Sequence, residues 1–262
     1  MKIVGICKAL TCGDFIPAVL DGMYNLVDEI VFLYPERDWN GNVRVNEVAS
    51  VVRKWKREND YALKITELNT ELINQEEQYN YVIENVCKEL KPDWNFIFDT
   101  DEVWEESQLQ KLFEIAEKTV YENAIYCKMH TYIKSPLYQI EPCEPCMPCV
   151  MVRGIPGLFR GVRGNMTRPG IGIDHIKFHH FSYVRNNERE VFEKVKLSTA
   201  ADGLQTVNVS EWILNKWNML PDATDFHTTR YAENYWESVR VIDERELPEA
   251  VRALPIFKRG VK

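Results

Sequence analysis

Two rhythms of apolar positions alternate along the first hundred residues. Residues 2–7 and 29–33 are short, mostly apolar runs that read as strands, and residues 62–68, more mixed, read as a third. Between them the period lengthens. Residues 15–26 follow the Gly13-Asp14 turn as a helix, and residues 45–58 place Val45, Val48, Val51, Val52 and Trp55 at helical spacing. Residues 76–90 repeat that spacing with Tyr79, Val82, Ile83, Val86 and Leu90, after which Lys91-Pro92-Asp93 turns the chain into a fourth strand, residues 94–98. Strand alternating with helix predicts an α/β fold: a mostly parallel central sheet with covering helices.

Beyond residue 105 the rhythm changes. Ser107 to Gln110 reads as a capping box that opens a helix to Lys118, and residues 124–133 read as a strand. Residues 135–175 are rich in Pro and Gly, which predicts hairpins and ordered loops, and residues 176–181 look like one more strand. Residues 188–199, 211–220 and 227–254 read as helices, the last carrying Tyr231, Tyr235 and Trp236. The expected organisation is one α/β domain over residues 1–200 with a helical extension, residues 201–262, packed on it. The tail aromatics, including Trp212 and Trp217, are expected to serve chiefly as helix core, with a sugar-stacking surface or a homodimer contact as the other uses.

The fourth strand ends abruptly in carboxylates: WNFIFDTDEVW sets Asp99, Asp101 and Glu102 directly after an apolar run. Acids do not stay buried without partners, so a strand that stops this way presents them. In an extended chain Asp99 and Asp101 point to one side, two hard oxygen donors at a strand's carboxyl end, which outlines a divalent-cation site. The plain alternative for an Asp-x-Asp is a polar turn before a helix.

Composition narrows the setting. With 262 residues, 45% hydrophobic and 27% charged, the chain suits a globular fold with one substantial core. A formal net charge of −8 makes nucleic acid the less favoured partner, because phosphate neutralisation needs surplus Lys and Arg. The start, MKIVGICKAL, is too short an apolar run before Asp14 for a signal peptide, and no run approaches a membrane span, so a cytoplasmic location is expected. Seven cysteines scattered among apolar segments fit reduced thiols. The repeat of Cys143, Cys146 and Cys149 invites a zinc reading. In polyproline geometry, however, such thiols lie about 9 Å apart, too far to share one ion without a turn.

Three of the five histidines lie in DHIKFHHFSYVR, residues 174–185. If that stretch is a strand, only one of His179 and His180 faces the acids. One imidazole added to two carboxylates suits Mn2+ or Mg2+, with the nitrogen favouring Mn2+. Residues 153–173 hold six of the twelve glycines with Arg153, Arg160, Arg163 and Arg168 and no acid, which suggests an anion contact that closes as a lid, against the alternative of solvated hairpin arginines.

The βαβαβαβ order, the strand ending in Asp99-Thr-Asp-Glu102, the later His180-Phe-Ser-Tyr183, and Leu26-Val-Asp-Glu-Ile-Val31 together resemble the GT-A nucleotide-sugar glycosyltransferases, particularly family 2, over about residues 2–200. The resemblance implies that Asp99 and Asp101 hold the metal and the nucleotide diphosphate, and that His180 is the distal metal ligand. It implies a nucleotide-sugar donor, and a saccharide or another hydroxyl compound as acceptor. Two departures stand out: Tyr34-Pro35-Glu36 replaces the family's acid after the second strand, and the first turn, Lys8 to Cys12, lacks its Asn-Glu pair. Tyr34 is thus a candidate to stack on the base, Lys8 to meet the diphosphate, and Arg163 to contact the donor. An inverting reaction also needs a general base, for which Glu102 and Asp174 lie nearest the two motifs. Two other readings remain: a haloacid-dehalogenase-like phosphatase, whose nucleophile motif Asp99-Thr-Asp-Glu-Val103 resembles, and a non-catalytic nucleotide-sugar-binding module.

Overall fold

The computed structural model describes residues 1–38, 41–43, 46–72, 74–154, 159, 163, 170–202, 207–228 and 236–258, with backbone only for 198–202 and 258. The strands are β1 (Ile3–Lys8), β2 (Glu29–Pro35), β3 (Ile65–Thr70), β4 (Trp94–Phe98), β5 (Glu102–Val103), β6 (Ala124–Ile133), β7 (Tyr138–Glu141), β8 (Cys149–Val152), β9 (Gly170–Tyr183) and β10 (Ser238–Val241). The helices are α1 (Ile16–Met23), α2 (Glu47–Asn59), α3 (Gln75–Val82), α4 (Lys88–Leu90), α5 (Glu106–Lys118), α6 (Glu188–Asp202), α7 (Val209–Trp212), α8 (Glu249–Ala253) and α9 (Pro255–Lys258). A π turn, Ile83–Cys87, joins α3 to α4, and another, Ile213–Trp217, extends α7.

The sheet runs β10-β7-β6-β8-β4-β1-β2-β3, with β9 beside β6 and β5 beside β9. β3, β2, β1 and β4 are parallel, as the alternation of strand and helix predicts, and all of β1 is buried because helices cover both faces. One face packs Phe32, Phe96, Phe98 and Trp104 against α1, α2 and α5; the other packs Ile6, Leu33 and Ile97 against Tyr79, Val82 and Ile83. β8 then enters antiparallel to both β4 and β6, so the sheet is mixed beyond β4.

The observed boundaries correct several expectations. α2 begins at Glu47 because Asn46 caps it, its Oδ1 accepting from Ala49 N at 3.2 Å; Val45 lies outside the described residues. α5 begins at Glu106, so Ser107 lies inside the helix and is not its cap. The helical pattern of residues 76–90 is interrupted by the π turn. β9 is 14 residues long, more than twice the predicted strand, because its first half pairs with β6 through Gly170 and Gly172. The tail is not all helix: Ser238–Val241 is a strand antiparallel to β7, and its two Val residues suit that state. Trp212, Trp217 and Trp236 are core, packed with Ile133, Tyr183 and Phe226, while Tyr231 and Tyr235 lie outside the described residues.

Gly22 holds α1 close to the segment after β5. A Cβ there would lie 2.5 Å from the Trp104 carbonyl oxygen, so only glycine allows this approach. Among the described residues, no helix is long and apolar enough to cross a membrane.

Candidate active site

β4 delivers the acids and then breaks. The Asp99 amide donates to Glu102 Oε2 at 3.1 Å and the Glu102 amide to the Asp99 carbonyl at 3.2 Å, closing a tight turn. The Thr100 hydroxyl donates to the Thr11 carbonyl and ties the turn to the loop after β1. Because the chain turns instead of continuing extended, Asp99 and Asp101 do not line one face as a strand would set them; they face different partners.

On one side stands Arg163. Its Nη1 lies 2.5 Å from Glu102 Oε1 and 3.2 Å from Asp99 Oδ2, while Nη2 donates to the Ile97 carbonyl at 3.0 Å and Nε to the Cys149 carbonyl at 3.1 Å. The Arg163 side chain is 6% exposed and that of Glu102 3%, a buried ion pair, while Asp99 at 31% joins it from the partly open side. Tyr79 OH donates to Asp99 Oδ1 at 3.3 Å, and Lys8 sits over the Tyr79 ring with its Nζ 5.8 Å from the centroid. Burial alone would raise Asp99, but Arg163 and Lys8 outweigh it and lower the carboxyl; burial lowers Lys8 to about 8 against the pull of Asp99. Burial raises Glu102 even against Arg163. Burial disfavours the Arg163 charge, yet Glu102 and Asp99 outweigh it and hold the guanidinium protonated.

On the other side stand Asp101 and His180. β5 and β9 pair Glu102 with His180, which brings His180 Nε2 to 3.9 Å from Asp101 Oδ1. Cys12 Sγ donates to Asp101 Oδ2 at 3.2 Å, and Arg185 Nη2 lies 3.6 Å from the same oxygen. Cys12 reaches it from a left-handed backbone, φ 69°, which few residues other than Gly adopt. Burial would raise Asp101, but His180, Lys194 and Arg185 outweigh it and bring its carboxyl to about 2. His180 is pushed down to about 4 by burial, against Asp101. Cys12 and Arg185 also line a cleft of about 700 Å3 that runs past Gly13, Glu47 and Lys194.

The adjacent histidine faces away, as strand geometry requires. Tyr132 OH and His179 Nδ1 are 2.8 Å apart, and His179 Nε2 lies 3.5 Å from Glu105 Oε1, lining a smaller cavity of about 210 Å3 with His130 and His175.

The structure brings Lys8, Asp99, Asp101, Glu102, Arg163 and His180 to one end of the parallel strands but leaves two sequence candidates apart. Asp174 is six positions before His180 on β9, roughly 20 Å along an extended strand, and pairs there with Lys128 at 3.2 Å. Tyr34 is 2% exposed and packs on Phe32, so its ring offers no open face to a base. Glu102 has both oxygens engaged, and Arg163 gives its donors to protein, which leaves neither facing a ligand. The Cys143 thiol donates to the Met129 carbonyl, Cys149 is buried in β8, and no disulfide joins any of the seven cysteines. Arg160 and Arg168 lie outside the described residues. Sequence reasoning missed Cys12 and Arg185. Nothing in the pattern marks a thiol in a left-handed turn, but Arg185 closes the histidine segment and its charge was visible.

A divalent ion fits this donor set in part. The 3.9 Å between Asp101 Oδ1 and His180 Nε2 is too long for a hydrogen bond and within the span of two ligands on one ion, each about 2.1 Å from it. The other imidazole nitrogen, His180 Nδ1, is buried without a hydrogen-bond partner. Asp99 is committed to Arg163 and Tyr79, and among the described residues no group of three or more His, Cys, Asp or Glu is arranged to hold a metal. Two protein ligands suffice for an ion that completes its shell with water and phosphate oxygens.

The molecule is thus an α/β protein with a charged cluster at the carboxyl ends of its parallel strands, where ligands of such sheets bind. No family model matches the sequence. No curated protein matches it. Among solved structures, it is similar to the mannosyltransferase PcManGT of Pyrobaculum calidifontis, in complex with GDP-Man and Mn2+, at 13% identity and a TM-score of 0.49 over 76% of this chain and 62% of that one. The chain therefore spans about three fifths of that protein's length. It is also similar to residues 1–349 of S. aureus TarS, at 12% identity and 0.45 over 83% of this chain and 71% of that one. A third is the 4-diphosphocytidyl-2C-methyl-D-erythritol synthase of Anaerococcus prevotii, at 11% and 0.40 over 58% and 70%. Likenesses of this degree assign neither a family nor an activity.

Proposed function

We propose that this chain is a GT-A-type glycosyltransferase that moves a sugar from a nucleotide-diphosphate donor to a hydroxyl acceptor, assisted by Mn2+ or Mg2+. The observation that carries the reading is the approach of Asp101 and His180, 79 positions apart in sequence, to 3.9 Å beside a cleft large enough for a nucleotide. Asp101 and His180 are the residues that would hold the ion, and what it supplies when bound is positive charge against the departing diphosphate. Asp101 is ionised throughout the physiological range and His180 is neutral there, the states in which each donates an electron pair. Arg163 and Glu102 brace the turn and keep Asp99 in place. Lys8 adds positive charge behind Asp99.

The test is calorimetry of the full chain with uridine, guanosine and thymidine diphosphate sugars, in Mn2+ and in chelator. The expected result is binding of one base class in Mn2+, lost with Asp101→Ala. Indifference to every nucleotide in both conditions refutes the reading.

A second reading is favoured by the engagement of Glu102 and the remoteness of Asp174: a module that binds the sugar nucleotide and transfers nothing. Release of free nucleoside diphosphate over hours, assayed with and without simple saccharide acceptors, separates the two.

A further inference from the structure

Arg185 is held in an unusual way. Its Nη1 donates to the carbonyls of Phe181 at 3.2 Å and Val184 at 3.0 Å, which pins the guanidinium against the end of β9. Its Nη2 stands 3.6 Å from Asp101 Oδ2, beyond hydrogen-bonding distance, and makes no hydrogen bond, although the side chain is only 7% exposed. Buried donors are nearly always paired, so this one marks a direction in which a partner is missing. Arg185 lines the 700 Å3 cleft, but Nη2 itself is covered, so it meets a ligand there by turning away from Asp101.

The chemistry of the donor says what that ligand is. Arg185 faces Asp101 Oδ2 at 3.6 Å while His180 stands by Oδ1 at 3.9 Å, so a divalent cation arriving alone between Asp101 and His180 shares the carboxylate with a guanidinium that opposes it. The cleft beyond carries both signs, Asp14, Glu47, Glu190 and Glu193 against Arg189 and Lys194. A phosphoryl group offsets the added positive charge, and a guanidinium is suited to its oxygens.

We propose that Arg185 is a place-holder, standing by Asp101 until a diphosphate enters the cleft and then donating Nη2 to a phosphoryl oxygen, so that cation and diphosphate bind as a linked pair. This rests on the reading of the site given above. Linkage makes the effect reciprocal: each ligand tightens the other by the same factor.

Two measurements on the full chain test it. The first titrates Mn2+ alone, following the free aquo ion by electron paramagnetic resonance; the second titrates inorganic pyrophosphate by calorimetry at fixed Mn2+, corrected for complexation in protein-free buffer. Arg185→Ala should bind Mn2+ alone about fivefold more tightly, because Asp101 is released, and pyrophosphate about tenfold more weakly, because a charge-assisted donor is gone. These opposite signs are the signature. Weakening of both, or unchanged pyrophosphate affinity, overturns the proposal. Arg185→Lys, which keeps the charge without the planar fork, is the second variant: if the alanine protein does not fold, pyrophosphate weakened with Mn2+ binding retained supports the role, and unchanged pyrophosphate binding overturns it. Arg185-dependent pyrophosphate binding with no affinity for any sugar nucleotide would leave the place-holder standing and sink the glycosyltransferase reading. Mn2+-dependent sugar-nucleotide binding equal in wild type and Arg185→Ala would do the reverse.

Discussion

Glu102 and Arg163, 61 positions apart in the chain, meet at 2.5 Å inside the protein, and Asp99 joins them at 3.2 Å. Removing Glu102 leaves the buried Arg163 guanidinium with only the partly exposed Asp99 as its carboxylate, the costly way to break such a pair. Glu102→Ala should lower the unfolding free energy by about 3–5 kcal/mol. Glu102→Gln should cost clearly less, since an amide oxygen still accepts a hydrogen bond. Urea unfolding at pH 7 measures both. Equal losses for the two would show that the ion pair adds nothing beyond shape.

Asp174 supplies the contrast. It is exposed, and its ion pair with Lys128 is a surface one. Asp174→Ala should shift stability by no more than about 0.5 kcal/mol and leave metal-dependent nucleotide binding intact. A loss of binding in calorimetry would return Asp174 to the site from which its position on β9 removes it.

Acid should weaken the metal-free protein in stages. His130 and His180 are both pushed down to about 4 by burial, below the value of about 6.5 they regain on unfolding. Between those values the unfolded chain binds more protons than the folded one, so stability falls as pH drops from about 6.5 to 4. Asp101, lowered to about 2, acts in a lower window: its contribution is present above its unfolded value and disappears as pH falls through about 2. Glu102 works in the opposite sense, since burial raises its carboxyl and the folded state then holds the extra proton over the same range, so two imidazoles are set against one carboxyl. Urea midpoints in chelator at pH 7, 5.5 and 4.5 should still descend, His130→Gln should flatten part of the slope, and Glu102→Gln should steepen it. A His130→Gln slope equal to that of the wild type would show that this imidazole does not resist protonation.

Gly22 is a mechanical point behind the site. Because an added Cβ would meet a backbone oxygen 2.5 Å away, α1 or the segment after β5 must move. Gly22→Ala should cost about 1–3 kcal/mol despite the better helix propensity of alanine. A melting temperature at or above wild type would mean that the two segments separate freely.

The parallel half of the sheet was legible because β1, β2 and β4 are covered on both faces, which forces continuous apolar runs, and the acid tip of β4 was legible because charge follows those runs without a gap. The tail was not, since Ser238–Val241 gains its strand state from β7, a partner almost 100 positions away that no local window contains. The site divides in the same way. Strand alternation says that only one of His179 and His180 can face the acids; that it is His180 comes from the resemblance and not from the geometry. That Asp99 is held by Arg163 could not be read, because a loop rich in arginine and glycine shows its charge without showing which guanidinium turns inward. The left-handed backbone at Cys12 has no signature in residue type at all.

β5 is two residues long, and its rungs pair Glu102 with His180 and Val103 with His179. The facing of the two rings is set elsewhere, by the long pairing of β9 with β6, so the short ladder only brings the turn alongside a histidine already in place. Slipping it by one position would exchange the faces of Glu102 and Val103, since adjacent side chains of a strand lie on opposite faces. A single residue inserted between Asp101 and Val103, or lost there, would thus draw the acids out of step with His180 while every side chain needed for the site remained in the chain.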